Sequence, residues 1–511
     1  MNIGTLPARH ARYRPDHLAL ATESERLTFR DLDRLISRLG AALQGMGVRK
    51  GDKIATVLPN GSAIYATYWA AARIGAATLP LSTLLRGEGL ATLLRDSDAS
   101  AVIADVAFAR ELAQVRDRLS IAPDRYVFCG GDAGYGRSFE ALLAETLSEP
   151  VGPEPVISPH DLFNIMYSSG TTGTPKGIVL TYGVRAAYCI LFASEWRMTP
   201  ESVVLHTGSL VFNGAFVTMM PAMYRGATFV LLKQFDPESV MRTIERERVT
   251  HTMMVPSQIV ALLNAPGFSP ERLASLQMLG SVGAPLHLEH REKLVEYLPG
   301  RVYELYGLTE GFVTVLDRED FARKRDSVGI PASFADMRII DSNGSDVAAG
   351  VVGEIVGRSP LLMPGYYKRP DLTAQALVDG WLHTGDLGFV DEDGFLHLVD
   401  RQKDMIISGG VNVYPRDIEE ILVRHPAVKE AAVFGIPHVQ WGEAPMAAVI
   451  VRAEPASTAD ELKAWINERV AAKYQRVAQV AIVNDFPRST AGKTLKRVMR
   501  APYWAGRLEQ I

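Results

Sequence analysis

Cysteine is almost missing from this sequence. Of 511 residues only Cys129 and Cys189 are cysteines, and they lie far apart. That excludes a disulfide scaffold and a cysteine metal site, and it suits a reducing cytosol. Positive charge is not in excess either. With 54 Lys+Arg against 58 Asp+Glu the net charge is −4, so the chain lacks the basic balance of a nucleic-acid binder. There is no internal repeat and no low-complexity tract, and the opening residues, with several arginines and histidines, do not read as a secretory signal. Long apolar runs are scarce. Residues 202–224 are uncharged, but His206, Asn213, two glycines and Pro221 interrupt them, so they read as strand, turn and helix rather than a membrane span. No G-x-S-x-G, H-E-x-x-H or G-x-G-x-x-G stands in a context that gives it meaning.

What is present is core and alternation. The chain exceeds one ordinary domain, and a hydrophobic content of 47% supplies ample core. Residues 28–46 have helical apolar spacing closed by Gly47 and Gly51, 53–58 is a β-like run, and 62–75 is an apolar helix. Strand-then-helix units recur at 203–206 with 214–224, 228–232 with 237–247, 252–255 with 257–263, and 276–281 with 286–298. This predicts an α/β protein with parallel-type sheets, whose ligands sit beyond the carboxyl ends of the strands. Short strands at 337–340, 354–357 and 395–399, separated by glycine turns, predict a small β-rich subdomain. A last α+β unit follows, with strands at 405–407, 431–434, 447–451 and 480–483 and helices at 415–424 and 458–472. The charged run Asp400-Arg401-Gln402-Lys403-Asp404 marks the junction, giving domains of 1–400 and 401–511.

The stretch richest in chemistry is Tyr167-Ser168-Ser169-Gly170-Thr171-Thr172-Gly173-Thr174-Pro175-Lys176-Gly177. A short apolar strand runs into it. Glycine permits the φ values that turn successive N–H groups into one anion-binding hollow. The hydroxyls add donors, and Lys176, set between Pro175 and Gly177, adds a positive charge. This is chemistry for a polyphosphate, and a flexible linker would need neither the strand nor the fixed lysine. In Tyr306-Gly307-Leu308-Thr309-Glu310-Gly311 an aromatic beside a glycine suits stacking on a flat base, Thr309 suits a phosphate oxygen, and Glu310 suits a hard cation such as Mg²⁺. In Trp381-Leu382-His383-Thr384-Gly385-Asp386 a turn carboxylate suits the vicinal hydroxyls of a ribose, and Arg401 follows fifteen residues on. Pro487-Arg488-Ser489-Thr490-Ala491-Gly492-Lys493-Thr494 ends like a P-loop, but Pro487 stands where the first glycine belongs, so that reading fails and Lys493 is left as a lysine on an exposed loop. Taken singly, a solvated Glu, a turn Asp and a surface Lys are the commoner explanations of these residues.

Taken together, in this order and spacing, the motifs resemble those of the adenylate-forming acyl-CoA synthetases, the superfamily that includes firefly luciferase and the adenylation domains of peptide synthetases. With Leu27-Thr28-Phe29 and Gly51-Asp52-Lys53 at the start, the resemblance covers essentially the whole chain. It implies a two-step ligase. A carboxylate attacks the α-phosphate of Mg·ATP to give acyl-AMP and pyrophosphate, and the thiol of coenzyme A then displaces AMP. It also implies roles. Ser168, Ser169, Gly170, Thr171, Thr172, Gly173 and Lys176 would cradle the phosphates, and Tyr306 with Gly307 would meet adenine. Thr309 would touch the α-phosphate, Glu310 would hold Mg²⁺, and Asp386 and Arg401 would hold the ribose. Lys493 would bridge carboxylate and phosphate, Lys403 would be the hinge about which the C-terminal domain rotates, and Ser408-Gly409-Gly410 would wall the pantetheine tunnel. The resemblance further implies a cytoplasmic enzyme, with a homodimer as the common assembly.

The acid is less legible. Ser209-Leu210-Val211-Phe212-Asn213-Gly214 matches a family segment that often reads P-L-Y-H-N-G, with Phe212 in place of the histidine. Phe212, with Ala215, Phe216, Met219 and Met220, gives an apolar lining next to Asn213, and Gly283 and Ala284 supply a small-residue wall. No Lys or Arg falls in these walls, which disfavours a dicarboxylate. The expectation is a medium- or long-chain fatty acid, with an aryl or alicyclic acid as the alternative and a carrier-protein thiol as the alternative acceptor. A non-catalytic relative is disfavoured by the joint retention of Lys176, Glu310, Asp386, Arg401 and Lys493.

Overall fold

The computed structural model describes residues 2–146, 155–168, 176–284, 286–452, 454, 457–488 and 494–505. The chain forms two compact units, Met1–Asp336 with Arg358–Leu382, and Met337–Gly357 with His383–Ile511. The β-rich stretch after residue 337 thus groups largely with the C-terminal residues. The predicted α/β class holds, with a large N-terminal unit of sheets and helices and a smaller, β-rich C-terminal one.

The first unit is built on two sheets. One has seven strands, in the order Arg137–Ser138, Tyr126–Cys129, Ala101–Asp105, Lys53–Val57, Ala77–Pro80, β1 (Leu162–Ser168) and β2 (Lys176–Thr181). β1 and β2 are antiparallel, with Ser168 opposite Lys176. Helix α1 (Tyr182–Glu195) follows, N-capped by the Thr181 side chain. The other sheet has nine strands. At its centre are β3 (Val203–His206), β4 (His251–Met254), β5 (Met278–Val282) and β6 (Val302–Gly307), neighbours paired in parallel in that order. Helix α2 (Asn213–Arg225) leaves the loop after β3 and packs on α1. Four strands paired in parallel need crossovers, and the helices that supply them cover the sheet with apolar faces.

Local signals place several of these elements. Thr28 and Asp31 form a reciprocal capping box at the start of helix Phe29–Gly45. Asp236 caps helix Pro237–Glu247, with Pro237 in its first position. Helices Ser62–Ile74, α1 and α2 share one core in which Trp69, Phe192, Phe216 and Met219 are fully buried. Burial of side chains this large stabilises the fold by about 2–3 kcal/mol apiece.

In the second unit, β7 (Trp381–Val390) pairs antiparallel with β8 (Leu396–Arg401). The last sheet runs Val411–Val413, Ile406–Ser408, Gly442–Val451, Val428–His438, with Gln479–Ile482 parallel to Gly442–Val451. Helices Pro415–Leu422 and Ala459–Asn467 contribute Ile418 and Leu462 to its core. Among the described residues no helix is long and apolar enough to cross a membrane, and residues 202–224 are strand, turn and helix.

Candidate active site

Because β3, β5 and β6 run parallel, the segments leaving their carboxyl ends lie along one edge of the nine-stranded sheet. Those segments hold Phe212 and Asn213 after β3, Gly283 and Ala284 after β5, and Thr309 and Glu310 after β6. Tyr306 and Gly307 are the last residues of β6, opposite Thr314 and Val313 of the neighbouring strand. The turn beyond them is closed by the Leu308 amide donating to the Phe312 carbonyl and the Gly311 amide donating to that of Leu308. Thr309 and Glu310 are half-buried at its tip.

The loop expected from the sequence to hold phosphate lies between two strands of the other sheet. Ser168 and Lys176 are its described ends; Ser169, Gly170, Thr171, Thr172 and Gly173 lie outside the described residues, as does Lys493. The two halves are joined by the segment 359–369, which sequence reasoning missed. At one end Ser359 Oγ donates to the Gly311 carbonyl (2.6 Å) and the Met363 amide donates to the Glu310 carbonyl (2.8 Å). At the other the Tyr367 amide donates to the Gly177 carbonyl (2.7 Å) and the Val179 amide to that of Gly365 (3.1 Å). Between these ties the Tyr366 hydroxyl donates to Glu310 Oε1 (2.9 Å), and Lys176 Nζ sits 5.2 Å from the centre of its ring. The fold therefore brings Lys176 and Glu310 onto one tyrosine. The signal in the sequence was the run Pro364-Gly365-Tyr366-Tyr367-Lys368-Arg369, aromatic and basic inside a loop.

A cation fits here only in one way. Among the described residues no group of three or more His, Cys, Asp or Glu could cage a metal. Glu310 offers one hard oxygen donor, with Tyr366 occupied on the other oxygen. That suits Mg²⁺, which binds through one or two carboxylates and completes its shell with water and phosphate oxygens.

The segment expected to wall the acid is tighter than its sequence suggests. Phe212, Asn213 and Gly214 are half-exposed at the start of α2, but Ala215 to Met220 are each no more than 3% exposed. Phe216, expected in the pocket, is core and stacks on Tyr68 (5.6 Å). Asn213 Nδ2 donates to the Tyr188 hydroxyl (3.0 Å), and the side chain of Asn60 holds the preceding loop by two bonds, to the Gly208 carbonyl and from the Leu210 amide, and ties it to the Leu232 carbonyl by a third. Gly283, with φ +93, and Ala284 are exposed.

In the second unit, Asp386 and Arg401 are cross-strand partners, with Arg401 Nε 3.2 Å from Asp386 Oδ1. They form an ion pair with each other, where the sequence suggested two groups meeting a sugar from opposite sides. Lys403 is exposed just past β8. Asp400 is half-buried and accepts the amides of Arg401 and Arg416; burial pushes its carboxyl up to about 6. Ser408 is buried, and Gly409 and Gly410 are exposed with φ of +61 and +80. A Cβ on Gly409 would lie 2.6 Å from the Trp441 ring, so this glycine seats a tryptophan that sequence reasoning did not single out.

Comparison with known proteins agrees with this arrangement. Residues 7–367 match the family described as AMP-binding enzyme, and residues 417–493 match the AMP-binding enzyme C-terminal domain. The chain is 36% identical over 507 residues to a feruloyl-CoA synthase of Amycolatopsis sp, covering 98% of each chain. It is 32% identical over 518 residues to the long-chain-fatty-acid–CoA ligase FadD13 of Mycobacterium tuberculosis, covering 99% of each. Among solved structures it resembles ATP-bound MatB from Rhodopseudomonas palustris, with a TM-score of 0.90, 28% identity and 99% of each chain covered.

Proposed function

The chain belongs to the AMP-binding enzyme family and is an AMP-forming acyl-CoA synthetase, and on that premise we propose that its acid is an aryl or short arylalkyl carboxylate. The observation that carries this is the closure of α2 directly after Gly214. A tunnel wide enough for an alkyl chain also admits water, so the side chains lining it would be exposed. From Ala215 to Met220 there is none to speak of. The acid wall is limited to the first turn of α2 and the small residues Gly283 and Ala284, which suits a compact flat acid. A relative named for feruloyl-CoA points the same way, one named for long-chain fatty acids points to the sequence-based expectation, and packing favours the first.

In this reading the carboxylate oxygen attacks the α-phosphorus of ATP and pyrophosphate leaves. The coenzyme A sulfur then attacks the acyl carbon, AMP leaves, and the thiol proton is released. Ser168, the 169–173 loop and Lys176 hold the β- and γ-phosphates, Tyr306 and Gly307 meet the adenine, and Thr309 donates to the α-phosphate. Glu310 holds Mg²⁺, which when bound neutralises phosphate charge. Lys493 stabilises the charge that moves onto the leaving pyrophosphate. Asp386 and Arg401 take the ribose, Lys403 serves as hinge, and Ser408, Gly409 and Gly410 flank the pantetheine. The test is pyrophosphate release with Mg·ATP and coenzyme A across benzoates, arylacetates, hydroxycinnamates and fatty acids. The expected result is the highest kcat/KM for an aromatic acid, with turnover dependent on coenzyme A. A long fatty acid as best substrate would overturn the acid assignment, and turnover indifferent to coenzyme A would point to a carrier-protein acceptor.

A further inference from the structure

Lys176 and Glu310 carry opposite charges, and in the proposed reaction each faces a different part of Mg·ATP. Two such groups close together attract one another, and a Lys–Glu pair would have to be broken before the nucleotide and its cation could bind. Among the described residues neither enters an ion pair. Each meets Tyr366 instead: the carboxylate through a 2.9 Å hydrogen bond, the ammonium over the ring at 5.2 Å. Tyr366 itself is pinned. Its amide donates to Thr373 Oγ1 (2.9 Å), the next residue's amide is bonded to Gly177, and the preceding glycine's carbonyl is bonded to Val179. Gly365 has φ +153, and a Cβ there would lie 2.7 Å from the Thr373 side chain, so the strap leaves the tyrosine little freedom.

We propose that Tyr366 is a positioning residue that keeps Glu310 and Lys176 apart and aims the other oxygen of Glu310 at the cation of Mg·ATP. This rests on the ligase reading, in which Glu310 holds the metal. A group that orients a metal-binding carboxylate typically sets metal affinity by 10- to 100-fold. The ring and the hydroxyl have separable tasks: the ring seats Lys176 and the hydroxyl orients Glu310.

The experiment titrates Mn²⁺ into the full-length protein with α,β-methylene-ATP, following free Mn²⁺ by electron paramagnetic resonance, for wild type, Tyr366→Phe and Glu310→Gln. The same variants are assayed for the Mg²⁺ dependence of pyrophosphate release. Tyr366→Phe keeps the ring and deletes the hydrogen bond. It should weaken Mn²⁺ binding about 10-fold and raise the half-saturating Mg²⁺ by a similar factor, leaving KM for the acid and for coenzyme A and the thermal midpoint unchanged. Unchanged Mn²⁺ affinity in Tyr366→Phe, with Glu310→Gln weakened, would overturn the proposal and leave the ligase reading standing. A loss in Tyr366→Phe shared equally by the acid KM, the coenzyme A KM and thermal stability would also overturn it, as the mark of a merely structural residue. Unchanged affinity in Glu310→Gln would remove Glu310 from the metal and overturn the proposal together with that part of the ligase reading.

Discussion

Gly311→Ala tests the joint between the Glu310 turn and the strap that crosses it. Gly311 has φ +116, and a Cβ added there would lie 2.0 Å from the Leu361 carbonyl oxygen and 2.6 Å from the Leu362 Cα. All the near atoms are backbone, so no side chain can rotate away, and the strap must retreat by roughly 1.5–2 Å to reach ordinary contact. The backbone conformation alone costs an alanine about 1–3 kcal/mol. Retreat also breaks the bonds from Ser359 Oγ to the Gly311 carbonyl and from the Met363 amide to the Glu310 carbonyl, each worth about 1 kcal/mol. The sum is about 3–5 kcal/mol, which a domain of ordinary stability of about 5–15 kcal/mol survives. The variant should therefore fold but unfold at lower urea, followed by near-UV circular dichroism. Its pyrophosphate release should fall by about 10²-fold, the scale of a 1 Å misplacement at a reacting centre. Gly344→Ala is the control, because Gly344 has φ +79 and nothing within 4 Å of a Cβ, so it carries the conformational cost without the clash. If Gly311→Ala loses no more stability than Gly344→Ala and turns over at the wild-type rate, the argument for a rigid strap is refuted.

Lys493→Ala should cut pyrophosphate release by about 10²–10³, the effect of removing one preorganised electrostatic group, while thioester formation from supplied acyl-AMP largely survives; unchanged release would remove Lys493 from the first half-reaction. His206 and His251 are buried and held neutral, their pKa lowered from 6.5 to about 4 by burial. The unfolded chain therefore binds protons that the fold refuses, and stability present above pH 6.5 should fall as pH drops to 4, by up to about 3 kcal/mol for each. Urea midpoints across that range check it, and a His206→Gln/His251→Gln variant with an undiminished slope would contradict it. Arg185 is fully buried, with Nε on Asn164 Oδ1 (3.1 Å), Phe216 and Tyr188 rings 4.1 and 4.7 Å from its guanidinium carbon, and, among the described residues, no hydrogen-bond partner for either terminal nitrogen. Arg185→Met should be neutral or stabilising by about 1–4 kcal/mol in chemical denaturation; a loss above about 2 kcal/mol would mean the guanidinium is paired in solution.

Where local chemistry decides an element, the sequence shows it. The helix at 237–247 is bounded by Asp236 and Pro237, and the observed helix has the same limits. Where a distant contact decides, the sequence misleads. The helix expected to run to residue 472 ends at Asn467, because its side chain leaves to bond both the amide and the carbonyl of Val477. The strand expected at 431–434 extends over Val428–His438, because a ten-residue partner, Gly442–Val451, pairs along its length. Alternation of strand and helix predicted the parallel sheet, but not the order in which its strands lie.

The same division runs through the site and explains why the reaction was legible before the acid. Polyphosphate is a fixed shape with a large charge, so the groups that suit it can be encoded in one short stretch, as the sequence leads one to expect around Lys176 and Glu310. An acid is met by a volume, and a volume is what remains after distant residues pack. Phe216, Met219 and Met220 look like pocket lining in the sequence and are closed core in the fold. Asn213 looks like part of a motif, and its orientation depends on Tyr188, 25 positions earlier. Tyr366 was missed for this reason too: nothing in its own segment hints that its hydroxyl meets Glu310, 56 positions away. Engineering of the acid preference should therefore begin at the half-exposed turn of Phe212, Asn213 and Gly214 and at the Tyr188 contact that orients it. A longer acid needs space that α2 does not now provide, and small residues at 216 and 219 would have to create it against a fully packed core.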